Sequence, residues 1–221
     1  IANRRGDKNK LGFALQLTTV RFLGTFLSDV SQVPTNARVF VGRQLAVKNV
    51  AVLADYAQRE TTKREHTALI RRHYGYSEFS DPHWTFRLSR MLYTRAWISN
   101  ERPSLMFDFS TAWLIQHKVL LPGATTLSRL ISEIRERSDN RLWRCLSSLP
   151  NREQKANLET LLQVPDGQRT SGFDRFRKGP TTISGPAFNL SVQRYLDLRA
   201  FDIHEIDFSH IPPVRLKNLH A

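Results

Sequence analysis

The feature that most constrains the fold is the helical spacing of apolar residues, which begins close to the start of the chain. Leu11, Leu15, Thr18 and Phe22 fall on one stripe of a helix, and most residues beside them are also apolar. This 3.6-residue period predicts a largely buried helix over residues 9–27. No segment has the apolar-polar alternation that is typical of a half-buried strand. We therefore predict an all-α protein.

Similar stripes and helix-end signals divide the rest of the chain. Pro82 and Pro103 stand at positions typical of helix starts, and Pro122 with Gly123 breaks the helix before it. The predicted helices cover residues 35–45, 50–58, 63–74, two segments opening at Pro82 and Pro103, a long segment from Thr125 or Thr126 towards Leu146, a short one near 158–162, and 186–198.

The charge balance favours a polyanionic partner. The chain has 33 Lys and Arg against 20 Asp and Glu, which gives a net charge of +13. Neutralised phosphates release their counterions, so such an excess promotes binding to nucleic acids. Residues 1–75 alone carry +8 of this charge, so we expect a nucleic-acid interface in the first third of the chain.

Other features restrict the cellular setting. No run of 18 apolar residues exists, so we expect no membrane span. The single cysteine, Cys145, precludes an intrachain disulfide and fits a reducing compartment. The sequence starts without Met, which suggests a fragment or a trimmed chain. We expect an intracellular protein.

A short helix, a tight turn and a basic amphipathic helix follow one another between residues 50 and 74. Thr62 and Glu65 fit a capping box, and Gly75 is a natural helix end. The inner stripe is predicted to hold His66, Leu69, Ile70 and Tyr74, and the outer face Lys63, Arg64, Thr67 and Arg71, with Arg72 nearby. This succession is typical of a helix-turn-helix, whose second helix enters the major groove. Alternatively, these basic residues only keep an exposed helix soluble.

The helices group into three predicted segments. Residues 1–78 and 79–150 form two successive helical DNA-binding units of helix-turn-helix type. Pro150 and Asn151 mark the next boundary, and residues 151–221 are interpreted as a third, short helical segment.

No catalytic constellation is recognisable in the sequence. It has no phosphate-binding glycine loop, no HExxH and no nucleophile elbow. His66 and His73 are interpreted as core or backbone-bonded residues rather than metal ligands. Asp202, Glu205 and Asp207 form the one tight acidic cluster, which more often caps helices or forms ion pairs than binds Mg²⁺. We therefore expect no catalytic residue, no metal site and no cofactor in this chain.

Several strings resemble the opening of the Tn-three family of replicative transposases, the family of the ampicillin-resistance transposon. They include RRGDKNKLGFALQL from Arg4 and TVRFLGTFL from Thr19, and they continue with HKVLLPGATTLSRLISEIRER from His117 and GPTTISGPAF from Gly179. The resemblance spans nearly the whole chain in the same order. It implies the N-terminal DNA-binding region of a much longer protein, which pairs two transposon ends and joins them to target DNA. Within that protein, residues 151–221 would be a helical linker that leads to the dimerisation or scaffold region, and we expect the protein in the bacterial cytoplasm, associated with the nucleoid.

The resemblance further implies binding of double-stranded DNA at the terminal inverted repeats of a transposon. It also implies that the full-length protein acts as a homodimer, and that its metal-dependent Asp-Asp-Glu catalytic domain lies outside this chain.

Residue chemistry supplies the candidate DNA contacts. Arg can read guanine through two hydrogen bonds, and Lys and Arg neutralise phosphates. The amides at a helix N-terminus can also meet a phosphate. The candidates are Arg4, Arg5, Lys8 and Lys10 as a basic arm; Lys63, Arg64, Thr67, Arg71 and Arg72 for the major groove; Arg43, Lys48 and Arg59 for the backbone; and Thr125, Thr126 and Arg129 in the second unit.

Two other functions stay open at this point. The chain could be a structural or dimerisation module with only non-specific DNA affinity, since residues 151–221 are nearly balanced in charge. It could instead be a metal-dependent nuclease built on Asp202 and Asp207. RNA binding is a further alternative, because charge alone does not distinguish RNA from DNA, although no RNA-module motif is visible.

Overall fold

A computed structural model describes residues 6–179 and 182–220 of the chain. These residues form α-helices and short 3₁₀ turns, and the described part contains no strand beyond one isolated bridge between Ser77 and Val119. The predicted all-α class is therefore confirmed. The helices are α1 (Asp7–Leu23), α2 (Thr35–Gln44), α3 (Leu53–Ala57), α4 (Glu60–Tyr74), α5 (Pro82–Ser99), α6 (Pro103–Gln116), α7 (Ala124–Ser148), α8 (Arg152–Leu162), α9 (Gly172–Arg177), α10 (Gly185–Arg199) and α11 (Pro213–Lys217).

The described chain divides into two compact units. The first contains residues up to 96 together with 101–135, and the second contains 97–100 together with 136–221. The predicted boundaries at residues 78 and 150 refer to functional units, and they stay predictions. Among the described helices, none is long and apolar enough to cross a membrane.

Helix α1 is the centre of the first unit. It contacts α2, α3, α4 and α6. One side of it, with Leu11 and Leu15, packs against Val30, Val47, Leu53 and Tyr56. Another side, with Phe13, Leu17 and Val20, packs against Ile70 and Leu120. The near-continuous apolar run in its sequence is thus explained by burial on several faces.

Helix α1 ends earlier than residue 27, the predicted end. Gly24 adopts a left-handed conformation with φ of 70°, and its amide donates to the carbonyl of Val20. A Cβ at Gly24 would lie 2.7 Å from Ile115 Cγ1, so a larger residue has no space there. The buried amide of Gln16 then binds both the N–H and the carbonyl of Leu27 at 3.0 Å. These bonds turn the chain back along α1, which the periodicity of residues 9–27 did not reveal.

The remaining core of the first unit lies between α5, α6 and α7. Its buried residues are Leu88, Leu92, Ala96, Met106, Trp113, Leu114, Val119, Leu127, Ile131 and Ile134. Backbone hydrogen bonds join the segment after α6 to the rest of the unit. Leu120 N–H donates to Ser77 O, and Leu121 N–H donates to Gly24 O, each at 2.9 Å.

In the second unit, side-chain caps and one ion pair fix the helices. Asn151 and Gln154 form a capping box at the start of α8, and the Gln154 amide also donates to the carbonyl of Asp202 at 2.8 Å. Arg215 is only 2% exposed and binds the Asp139 carboxylate at 2.5 Å. The predicted helix over 186–198 is α10, and Ser184 caps its first turn.

At Gly12 the Tyr56 ring of α3 lies directly against the backbone of α1. A Cβ on residue 12 would lie 2.6 Å from three atoms of the fully buried Tyr56 ring. We expect Gly12→Ala to lower the free energy of unfolding by about 1–3 kcal/mol, because the ring must move within a packed core. Thermal or urea unfolding of the purified chain measures this change. Gly123→Ala is the matched control, since its Cβ has only Thr126 Oγ1 nearby, at 3.9 Å; equal loss in both variants would contradict the prediction.

Candidate nucleic-acid interface

Helix α4 is the candidate recognition helix, and it begins earlier than the predicted capping box. Its first residue is Glu60, and Arg59 at the cap position makes no side-chain cap. Thr62 and Glu65 lie inside the helix, so the predicted capping box is wrong. The predicted end is confirmed, because Gly75 is left-handed with φ of 71° and its amide donates to the carbonyl of Arg71.

The rotation of α4 is fixed by a buried histidine. His66 is 2% exposed, and its Nδ1 lies 3.1 Å from the hydroxyl of Tyr56 on α3. The Tyr56 ring stacks on the imidazole at 5.5 Å, and the Phe13 ring of α1 meets it edge-on at 5.2 Å. Three rings from three helices therefore determine which face of α4 remains outside. His66 is a core residue, as the sequence suggested.

Lys63 belongs to the buried side, which corrects its predicted place on the outer face. It is 9% exposed, its ammonium group donates to the carbonyl of Ser28 at 3.3 Å, and it also pairs with Glu60. The reason is its spacing: Lys63 stands three and seven residues before His66 and Ile70, so it shares their stripe. The ammonium group of Lys63 therefore stabilises the fold and is not exposed for binding a ligand.

Leu69 shows the opposite error. It was predicted on the inner stripe, yet it is 42% exposed. The exposed stripe of α4 contains Arg64, Glu65, Ala68, Leu69 and Arg72. Arg64 and Arg72 are two turns apart, about 12 Å along the helix axis. Within the described chain, neither of these two arginines is seen in an ion pair.

The other predicted α4 residues are partly engaged. Arg71 binds Glu78 at 2.7 Å and its side chain is 40% exposed. The hydroxyl of Thr67 donates to the carbonyl of Arg64 at 3.0 Å. Close to the helix end, burial raises the pKa of the Tyr76 phenol, and the positive charge of Arg21 opposes this shift. The free positive charge on α4 is therefore concentrated at Arg64 and Arg72.

Two predicted backbone contacts come together at the end of α2, Arg43 in its last turn and Lys48 after it. Arg43 and Lys48 are both exposed, and they line one pocket of about 430 Å³ with Val39, Ala46, Val47 and Val50. Ala46 has a left-handed φ of 56°, which turns the chain between the two cations. The Val47 amide secures this turn by donating to the carbonyl of Gly42 at 2.9 Å. The pocket offers two cations to a single anion.

The predicted basic arm is only partly visible. Arg4 and Arg5 lie outside the described residues. Lys8 is in the first turn of α1 and its ammonium group lies 3.6 Å from the Asp55 carboxylate of α3. Lys10 is half-buried, whereas Arg59 is exposed before α4. Among Lys8, Lys10 and Arg59, Arg59 is the most accessible to a ligand.

The contacts predicted for residues 79–150 lie at the start of α7, within the first compact unit. Thr125, Thr126 and Arg129 are all exposed. Arg129 lies 3.8 Å from Glu133 one turn later, an exposed pair of low energetic value. Buried Leu127 and Ile131 hold the opposite face of this helix in the core.

A basic and aromatic groove on α5 was not predicted from the sequence. Arg87 and Arg90 are exposed and line it, although α5 was considered only for its apolar stripe. The available signal was their spacing: both flank the core positions Leu88 and Met91 on a helix whose start was correctly predicted at Pro82.

The acidic cluster has a different composition from the predicted one. Asp202 and Glu205 are exposed and come together with His204, with one ligand atom of each within 4.8 Å of the others. Asp207 instead accepts hydrogen bonds from the N–H and hydroxyl of Ser209, and these bonds lower the pKa of its carboxyl group. A nuclease site needs several carboxylates that converge on cations. Asp207 is not part of the group that Asp202 and Glu205 form, so the nuclease hypothesis lacks one of its two proposed residues.

Comparison with known proteins gives one family and several relatives. The model of the family described as domain of unknown function DUF4158 matches residues 1–134. The chain is 58% identical to the transposase for transposon gamma-delta of Escherichia coli strain K12. It is 27% identical to the transposases for transposon Tn1546 of Enterococcus faecium and for transposon Tn501 of Pseudomonas aeruginosa. Each alignment covers 99% of this chain but only 22% of the relative. The resemblance to Tn-three family transposases is confirmed.

Lys63 and Arg64 are adjacent but have opposite environments, which gives a paired test of the interface. We expect Lys63→Ala to lower the free energy of unfolding by about 1–3 kcal/mol, because a charged hydrogen bond and a packed aliphatic stem are lost. Arg64→Ala should change it by less than about 0.5 kcal/mol, as is usual for an exposed position. Urea unfolding of both variants measures the difference, and similar values would show that Lys63 is not a structural residue.

Proposed function

We propose that this chain, which belongs to the family described as domain of unknown function DUF4158, binds double-stranded DNA as one segment of a longer transposase. The proposed target is the terminal inverted repeat of a transposon. The observation that carries the proposal is the exposed stripe of α4, which offers Arg64 and Arg72 while buried contacts hold the opposite side. The transposases to which the chain is similar support the choice of DNA.

In this proposal α4 enters the major groove and α3 precedes it as the first helix of a helix-turn-helix. Arg64 and Arg72 have the donors to read guanine, and Glu65 has the acceptors to bind the amino group of cytosine. Ala68 lies between the two arginines and suits contact with a thymine methyl group. A helix with both charged and apolar exposed residues can thus discriminate between bases.

Phosphate contacts would supply most of the affinity. The proposed contacts to the DNA backbone include Arg43 and Lys48, which share a pocket, and Arg59 before α4. Thr125, Thr126 and Arg129 are the proposed contacts at the start of α7. Because each neutralised phosphate releases counterions, binding should weaken steeply as salt rises.

The activity of the longer protein is proposed to reside elsewhere. Since this chain spans 22% of its relatives' length, a metal-dependent Asp-Asp-Glu domain and a homodimer interface are assigned to segments outside it. The chain would position transposon ends for that domain.

A second candidate function is self-association, and the exposed apolar side of α10 favours it. Phe188, Val192, Tyr195 and Leu196 share one side of the helix and are between 40% and 69% exposed, and no residue of α10 is buried. Exposed apolar clusters of this kind often mark protein interfaces. Light scattering after gel filtration separates the candidates: a stable dimer that binds no DNA at low salt would favour this function over DNA recognition.

Selection from a library of random duplexes tests the sequence-specific proposal without assuming a target. We expect enrichment of one motif, and that motif should occur in the inverted repeats that flank the transposon. Because each good bidentate contact contributes about 1–3 kcal/mol, Arg64→Ala and Arg72→Ala should each weaken binding to the selected duplex by roughly 5- to 150-fold. Fluorescence anisotropy measures the change.

Arg102→Ala is the control for this experiment, because Arg102 is also exposed but precedes α6. It should leave the affinity within about twofold. Selection that enriches no motif would reject sequence-specific binding, and an enriched motif that binds equally well to the Arg64 and Arg72 variants would reject α4 as the recognition helix.

A further inference from the structure

The groove on α5 has no role in the proposed duplex recognition by α4. It is about 400 Å³ in volume, which lies in the range of small-ligand sites. Phe86, Arg87, Arg90, Met91 and Trp113 are among its lining residues. The groove thus combines aromatic, apolar and cationic side chains.

Trp113, which lines the groove, packs against two further rings beneath it. Trp113 of α6 is 9% exposed and stacks on His117 at 4.1 Å. Trp84 of α5 packs against both, with ring centroids 5.9 Å from Trp113 and 5.7 Å from His117. Rings that already support one another can accept a planar ligand without losing their own order, which reduces the entropic cost of binding.

The cations around the groove differ in availability. The Arg95 guanidinium is neutralised by the Glu101 carboxylate, to which it donates three hydrogen bonds, and it lies 4.1 Å from the Phe109 ring centre. Arg87 lies over Trp84 at 5.1 Å and over Trp113 at 5.9 Å. Arg90 is exposed, and no ion pair of it is seen in the described part of the chain. Arg87 and Arg90 therefore give the rim of the groove a net positive charge.

Phe86 is the residue that indicates the kind of ligand. It is 67% exposed at the edge of the groove, so burial in the fold does not account for a large aromatic side chain there. The phosphate backbone of a duplex would use the arginines but not Phe86, Met91 or Trp113. An unstacked nucleotide would use both sets, because its base stacks on aromatic rings and its phosphate binds arginine.

We propose that this groove binds an unpaired nucleotide of single-stranded DNA. The base lies against Phe86 and the apolar wall that Met91 and Trp113 form, and the adjacent phosphates bind Arg87 and Arg90. Stacking and phosphate contacts are largely independent of sequence, so this site contributes affinity for unpaired DNA rather than recognition of a motif. The proposal is independent of α4 and its duplex target.

The test uses the 221-residue chain and fluorescein-labelled dT12 at low salt, with fluorescence anisotropy as the measurement. We expect dT12 to bind and to quench tryptophan fluorescence. Phe86→Leu keeps an apolar side chain but removes the ring, and it should weaken dT12 binding roughly 5- to 150-fold, the range found for base–aromatic stacking. Arg90→Ala should weaken dT12 binding at least fivefold and lower its salt dependence.

Phe40→Leu and Arg102→Ala are the matched controls, since both residues are exposed on other elements. Each should leave dT12 affinity within about twofold. Circular dichroism melting of Phe86→Leu and Arg90→Ala should match the parent chain, because neither residue is buried.

A second pair of measurements separates this site from duplex recognition. Arg64→Ala should weaken binding of the selected duplex and spare dT12, whereas Phe86→Leu should do the reverse. The proposal is overturned if dT12 does not bind, if the Phe86 and Arg90 variants bind it like the parent chain, or if a glutamate-rich peptide of equal charge binds the groove more tightly than dT12.

Discussion

Burial of α1 on several sides is the constraint on which the first compact unit depends. Residues Leu11–Leu17 are buried without interruption, so α1 needs neighbours around most of its circumference. The contacts with α2, α3, α4 and α6 supply them. Because Gly12 lets the Tyr56 ring lie directly on the α1 backbone, Tyr56 can reach His66 and fix α4. The orientation of the candidate recognition helix is therefore a consequence of how α1 is covered.

The same packing divides the basic residues into two groups. Lys63, Arg71 and Arg95 bind carbonyl or carboxylate oxygens within the protein, so their charge serves the fold. A larger accessible set remains for a ligand: Arg43, Lys48, Arg59, Arg64, Arg72, Arg87 and Arg90. A net charge of +13 predicts a polyanionic partner, but it does not locate the interface. The proposed interface rests instead on the contacts that each cation makes or lacks within the described residues.

The two proposed surfaces of the first unit differ in chemistry. The stripe on α4 is a helix face with charged ends and small or aliphatic residues between them, which suits the edges of paired bases. The α5 groove is concave, with an aromatic floor and a cationic rim, which suits the faces of unpaired bases. A segment with both surfaces would engage paired and unpaired DNA by separate residues, so that one substitution can affect one binding mode and spare the other.

The sequence by itself determined the helical class, the starts of α2, α5, α6 and α10, the end of α4 at Gly75, and the resemblance to transposases. These depend on local signals: apolar period, proline and glycine positions, and capping residues. Only the tertiary structure decided that α1 stops at Gly24, because that turn depends on Gln16 binding Leu27, eleven residues away. It also decided that Leu69 is exposed, and that Arg87 and Arg90 share a groove with Trp113 of α6, whereas the burial of Lys63 already follows from its spacing to His66 and Ile70. The helical period of a sequence shows which residues share a face of a helix. Which face is turned to the core is decided by the neighbouring helices, whose residues are remote in sequence.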